Sequence, residues 1–298
     1  MTLHSSQSYV FRNGDQTSEE QWKAVSRALE RLDGKVPYVA CQGNHDVGFV
    51  AAENHLSEMS KYFHPSRNPL NDKHLVAMGK NVEGKHTMEN AAYEFNTDTW
   101  GDLLIVTLEF APRDEALDWA RELINSPKYT NHRVILLVHS FMQEQNGYNA
   151  AIYTSENYQL TPRNWGMDVW NKLIKDSHNI VLLLCGHSGN PTSISTSPYT
   201  ATSFKNINYD KTCSFRNDYK ATDGHTVPMM MFNAQAADGT WRGNGGDGWL
   251  RILEFKSDGT TISVRTFSPL FACSRITSQF AWRTASYDKF TFTVPKLN

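Results

Sequence analysis

Val36-Pro37-Tyr38-Val39-Ala40-Cys41 runs through Gln42 into Gly43-Asn44-His45-Asp46. The apolar run predicts a buried strand, and the residues after it predict a tight turn at the strand's C-terminal end. That turn carries an amide oxygen, an imidazole and a carboxylate, at the edge where open α/β sheets hold their chemistry. Two further apolar runs end alike. Val134-Ile135-Leu136-Leu137-Val138 delivers His139, and Ile180-Val181-Leu182-Leu183-Leu184 delivers, after Cys185, the pair Gly186-His187. Three strand ends, each with a metal-competent side chain, define the candidate site.

Outward from these runs, Thr17-Ser18 followed by Glu19-Glu20-Gln21 predicts a capped helix, with Trp22, Val25, Leu29 and Leu32 on one face and Gly34 at its end. Residues 103–108 form another apolar run suited to a buried strand. Pro112-Arg113-Asp114 opens a helix to about Ser126, and residues 167–176 read as the helix before the strand at Ile180. Strand–helix alternation implies a mostly parallel sheet with helices on its faces. Residues 190–225, rich in Ser, Thr, Asn and Tyr, read as a long insertion. Strands are expected again at 227–232, 249–255 and 261–267, the last two joined across Ser257-Asp258-Gly259, a hairpin signal. The expectation is one α/β domain over residues 1–298, its core at about 10–270 and its C-terminal part antiparallel.

Bulk composition narrows the function classes. The chain has 298 residues, 40% of them apolar and 12% aromatic, enough for a substantial core. A net charge of −2 gives no reason to expect a nucleic-acid partner. The longest apolar runs are six or seven residues, against the roughly 20 of a membrane span, so no membrane partner is expected. Met1-Thr2-Leu3-His4-Ser5-Ser6 has no signal-peptide pattern, and the compartment stays open, with export an option if the N-terminus is truncated. Cys41 and Cys185 sit in apolar runs and read as buried thiols. Cys213 and Cys273 could pair in an exported protein.

Gly43-Asn44-His45-Asp46, then His139, then Gly186-His187, in that order, resemble the calcineurin-like metallophosphoesterases. Glu19-Glu20-Gln21-Trp22, Leu108-Glu109-Phe110-Ala111-Pro112-Arg113-Asp114, Trp249-Leu250-Arg251 and Arg265-Thr266-Phe267-Ser268-Pro269 are similar to a bacterial branch of that family. The resemblance implies a β-sandwich flanked by helices, two metal ions, and hydrolysis of phosphate mono- or diesters in a small phosphorylated substrate. It implies Asn44, His139 and His187 as ligands of one divalent ion (Mn, Fe or Zn), His45 as proton donor to the leaving oxygen or stabiliser of the transferring phosphoryl group, and Asp46 as the carboxylate orienting that imidazole.

Three departures stand against this pattern. No Asp-x-His precedes Asn44, and the Gly-Asp that bridges two metals falls at Ser8-Tyr9, with Gly14-Asp15 as a substitute close to the helix cap. The family's Gly-His-x-His reads Gly186-His187-Ser188-Gly189. At most one metal site is therefore expected, built from neutral ligands, with impaired hydrolysis. A non-catalytic relative that binds a phosphate or sugar ligand, and a truncated gene product, are the competing readings. A lost first strand would leave a sheet edge open to homodimerisation, unless residues 7–12 fold back to fill it.

Bland readings compete for single residues. Asn44 and Asp46 favour turns on their own, and His139 and His187 could simply end buried strands. His225 is expected in a solvent-exposed loop. His4, His55, His64, His74, His86, His132 and His178 carry no supporting pattern and are expected at the surface. Residues 239–248, with Asn244 and Asp247, are glycine-rich but lack the strand-turn-helix context of a phosphate loop. With Trp241 and Gln235 they read as an ordinary loop or the rim of a pocket.

Overall fold

A computed structural model describes residues 17–49, 52–145, 149–188, 214–234 and 248–297. Helix α1, Ser18–Glu30, begins as expected. Thr17 and Glu20 form a reciprocal capping box, and the apolar face puts Trp22 and Leu29 in the core. Leu32 lies past the helix and is exposed. Short helices α2 (Met59–Tyr62) and α3 (Pro69–Asp72) lead into strands β1 (Leu75–Lys80), β2 (His86–Thr97) and β3 (Gly101–Thr107). Helix α4 (Asp114–Ile124) precedes β4 (Arg133–Leu137). A small hairpin, β5 (Met142–Gln145) with β6 (Asn149–Ile152), is followed by α5 (Gly166–Val169) and a π-turn, then β7 (Ile180–Cys185). Strands β8 (Ser214–Lys220), β9 (Thr226–Phe232), β10 (Leu250–Phe255), β11 (Thr261–Phe267), β12 (Trp282–Arg283) and β13 (Phe290–Thr293) complete the described order.

The larger sheet has the order β1-β2-β3-β4-β7-β9-β8. Its middle pairs, β3 with β4, β4 with β7 and β7 with β9, are parallel, and its outer pairs are antiparallel. Strands β10 to β13 form a second, antiparallel sheet around β11. Alternation along each strand decides which residues face which layer. In β3 and β4, Leu104, Val106, Val134 and Leu136 face the helices, packing with Leu117, Ala120, Ile124 and Leu173. Leu103, Ile105 and Ile135 point the other way and meet Ile262, Val264 and Phe292 of the second sheet. Two sheets face to face, with helices outside the larger one, form the expected α/β sandwich. The Asp258 carboxylate accepts from the N–H groups of Thr260 and Thr261, and Gly259 takes φ +70°, which builds the β10–β11 hairpin.

Several expectations are corrected. Residues 36–41 carry no regular secondary structure and pair with no strand among the described residues. Pro37 lacks an N–H, and the backbone polar groups find side chains instead. Asn71 accepts from Tyr38 N–H at 2.7 Å and donates to Tyr38 C=O at 2.6 Å, while Asn68 donates to Val36 C=O at 2.9 Å. The expected insertion at 190–225 contains β8, an edge strand whose outward Arg216, Asp218 and Lys220 gave it a polar texture. Residues 189–213 lie outside the described residues. The core does not stop near 270, because Phe292 and Val294 belong to the apolar layer between the sheets. The hairpin β1–β2 was not anticipated, since β2 buries Thr87, Glu89 and Asn90 among its apolar residues. His55 and His132 are buried rather than at the surface. His55 contacts Pro162 C=O at 2.7 Å and His132 contacts Glu94 at 2.9 Å. His225 is half-buried, 2.6 Å from Asp223 and 3.0 Å from the Ile180 carbonyl at the start of β7, the end of that strand opposite His187. Cys41 and Cys185 are buried free thiols. Cys273 is exposed and free, and Cys213 lies outside the described residues.

Candidate metal centre

Parallel pairing of β4 with β7 brings their C-terminal ends to one edge of the sheet. The pairing continues past the strands. Val138 N–H donates to Leu184 C=O at 3.1 Å, and Gly186 N–H donates to His139 C=O at 2.8 Å. A Cβ on Gly186 would stand 3.3 Å from the Phe232 carbonyl, so glycine permits this close approach. His187 follows with φ +64°, a left-handed conformation that costs a non-glycine residue about 1–3 kcal/mol. It is held there by Asn233, which donates to His187 C=O at 2.7 Å, and by the Ser188 N–H bond to Gly186 C=O at 2.8 Å.

The turn after residues 36–41 closes on itself. Asp46 N–H donates to Gly43 C=O at 3.0 Å, and Gly43 N–H donates to Asp46 Oδ2 at 2.7 Å. The fully buried Asp46 carboxylate thus builds the turn, and Ser57 Oγ donates to its backbone carbonyl at 2.7 Å. His45 sits half-buried on that turn. Asn44 is buried, and its Oδ1 lies 3.0 Å from His139 Nε2. His139 Nε2 in turn lies 3.1 Å from His187 Nδ1. Asn44 and His187, far apart in sequence, are therefore both brought against His139 Nε2.

Two residues that sequence reasoning missed flank this group. Glu156 Oε2 lies 3.3 Å from His187 Nε2, the nitrogen facing away from His139, in ion-pair reach but off hydrogen-bonding geometry. Its Oε1 accepts from Ser140 Oγ at 2.5 Å. Tyr158 OH accepts from Asn44 Nδ2 at 3.0 Å. Both residues lie in the connection between β6 and α5, where neither periodicity nor motif marks them. Phe110 supplies an apolar wall, with ring centres 5.8 Å from His139, 6.2 Å from His187 and 5.4 Å from Tyr158. It follows β3, and Glu109 beside it is locked by Arg113, whose Nε donates to Oε1 at 2.8 Å, and by Asn90 at 2.9 Å.

The donor set can be tested against a metal. Nitrogen and oxygen ligands at about 2.0–2.1 Å from one cation stand about 3 Å apart when they flank it at right angles. The two contacts around His139 Nε2 have that spacing. Asn44 Oδ1 and His187 Nδ1 each stand from His139 Nε2 as neutral donors to one divalent cation would. Among the described residues, no three His, Cys, Asp or Glu side chains gather where they could hold a metal ion. Tyr9 and Asp15, considered for the position that bridges two metals, lie outside the described residues, as does Gly189. The rim residues considered at 235–247, Trp241, Gln235, Asn244 and Asp247, also lie outside them.

Comparison with known sequences agrees with this architecture. The chain is 24% identical over 266 residues to the uncharacterized protein YvnB of Bacillus subtilis (strain 168). The alignment takes in 88% of this chain but only 17% of YvnB, so the chain spans a small part of that relative's length. Residues 4–191 match the calcineurin-like phosphoesterase family, whose members are metal-dependent phosphoester hydrolases. That match covers more than half of the sequence and includes the Asn44 turn, His139 and His187, so the chain belongs to the calcineurin-like phosphoesterase family.

Proposed function

We propose that this chain is a metal-dependent hydrolase of phosphate mono- or diesters, working with a single divalent ion and slower than a two-metal enzyme. The observation that carries the reading is the meeting of Asn44 Oδ1 and His187 Nδ1 around His139 Nε2, at 3.0 and 3.1 Å. A divalent ion bound there supplies Lewis-acid polarisation of a phosphoryl oxygen. The amide and two imidazoles are neutral, so they leave the cation's charge intact and favour an anionic phosphate beside it. His45, on the same turn as Asn44, is assigned the proton that the leaving oxygen takes as its bond to phosphorus breaks and the bond from water forms. Asp46, on the same turn, is assigned the orientation of that imidazole in addition to closing the turn. Phe110 and Tyr158 exclude bulk water from one side of the ligands.

A second reading, a relative that binds a phosphate or sugar ligand without hydrolysing it, is favoured by Gly189 standing where the family's Gly-His-x-His has its second histidine. Release of aryl alcohol from p-nitrophenyl phosphate and its diester, with added Mn2+, Fe2+ or Zn2+, separates the two. The hydrolase reading predicts turnover that needs metal, falls below the usual 1–1000 per second or so, and disappears in His139→Ala. Metal-independent turnover, or none with any ion, would contradict it.

A further inference from the structure

The carboxylate of Glu156 and the hydroxyl of Tyr158 touch the far sides of two of the three ligands. Glu156 Oε2 is 3.3 Å from His187 Nε2, and Tyr158 OH accepts the Asn44 Nδ2 hydrogen at 3.0 Å. We infer that residues 156–158 form a positioning segment that presets the ligand atoms, Glu156 keeping the His187 proton on Nε2 and Tyr158 turning the Asn44 oxygen toward His139. The inference deepens the metal reading and rests on it.

A neutral imidazole carries one proton, and only its bare nitrogen can hold a metal. An ionised carboxylate has no hydrogen of its own, and its negative charge 3.3 Å from Nε2 favours the His187 proton on that nitrogen. Nδ1 is thereby left with its lone pair toward His139. Asn44 has two ends of nearly equal shape; its Nδ2 meets the Tyr158 hydroxyl at 3.0 Å while Oδ1 meets His139 Nε2 at 3.0 Å, and the hydroxyl anchors the amide in that orientation. Glu156 is itself anchored: Ser140 Oγ, from the residue after ligand His139, donates to its other oxygen at 2.5 Å. Tyr158 is held edge-on to Phe110 at 5.4 Å, the same ring that flanks His139 and His187.

Without the segment, His187 would populate both tautomers and Asn44 could flip, each at a cost in affinity. Outer contacts of this kind change metal affinity by about 10- to 100-fold. Glu156 and Tyr158 are positioning residues, since neither touches the reacting atoms.

Long-range proton–nitrogen NMR of the metal-free protein reads the His187 tautomer directly, and cobalt(II) absorption reads affinity. The wild-type chain is expected to hold His187 with Nε2 protonated and Nδ1 bare. Glu156→Ala should give a tautomer mixture and a cobalt affinity lower by about 10- to 100-fold. Glu156→Gln keeps the side chain's shape but loses its charge, and should restore only part of both. Tyr158→Phe keeps the ring packing and should lower cobalt affinity without moving the His187 tautomer, which covers the case of a Glu156→Ala chain that does not fold. A wild-type His187 protonated on Nδ1, or Glu156→Ala and Tyr158→Phe chains that bind cobalt like wild type, would overturn the inference while leaving the metal reading intact. A wild-type chain that binds no cobalt would overturn the metal reading itself, and the inference with it.

Discussion

Asn71 and Tyr38 exchange two hydrogen bonds, from Tyr38 N–H to Asn71 Oδ1 at 2.7 Å and from Asn71 Nδ2 to Tyr38 C=O at 2.6 Å. A carboxamide here does for the chain what a neighbouring strand would do. Asn68 adds a third bond, to Val36 C=O at 2.9 Å. These contacts hold the segment that leads into the Asn44 turn, although it pairs with no strand among the described residues.

Replacing Asn71 by Ala should therefore act on stability and site together. Two backbone groups would lose their partners, at about 1–3 kcal/mol for each group left buried. Urea unfolding of Asn71→Ala should show a loss of about 2–4 kcal/mol, with weaker metal binding in the folded fraction. A midpoint equal to that of the wild type would mean that the segment is held by something else.

Glu89 carries the pH dependence. It is buried on β2, and burial is the main cause that pushes its carboxyl up from 4.5 to about 7, with an Asn81 hydrogen bond at 3.1 Å pulling the other way. Well below pH 4.5 the group is neutral in both folded and unfolded chains, and its contribution is fully present. As pH rises toward about 7 the unfolded chain ionises first, so folding stability falls, by a total on the order of 3 kcal/mol. Glu89→Gln removes the titration. Its stability should match the wild type near pH 4 and exceed it at pH 8, which denaturation across that range would show. A variant less stable than wild type at pH 8 would reverse the sign and contradict this account.

Much of the fold was legible because its parallel strands are buried on both faces. Residues 134–138 and 180–184 read as near-continuous apolar runs, and β4 and β7 lie there. Helix α1 was legible from its capping box and α4 from the Pro-Arg-Asp that opens it. Strand β2 was not, because burying Glu89, Asn90 and Thr87 broke the alternation that marks a strand. The edge strand β8 was hidden for the opposite reason, its polar residues facing solvent. Residues 36–41 had the composition of a buried strand, but composition cannot say whether a ladder partner exists. In the site, Asn44, His139 and His187 were legible since each ends an apolar run. Glu156 and Tyr158 act from a connection whose path only the three-dimensional structure reveals.

Homodimerisation through an open sheet edge remains a proposal with a direct test. Among the described residues the edges of the larger sheet are β1 and β8, and residues 36–41 pair with no strand. Charged Arg216, Asp218 and Lys220 guard β8, whereas β1 offers half-buried Leu75, Val76, Ala77 and Met78. Sedimentation velocity over a range of concentrations should show a monomer–dimer equilibrium, weakened by Val76→Lys. A monomer at every concentration would rule this edge out as an interface.

Calorimetric addition of Mn2+ to the metal-free chain decides whether Asn44, His139 and His187 form one metal site. The account predicts about one ion bound per chain, with binding abolished in His139→Ala and strongly weakened in Asn44→Ala and His187→Ala, all three folded by circular dichroism. Binding left unchanged by these substitutions, or no binding by the wild-type chain, would contradict it.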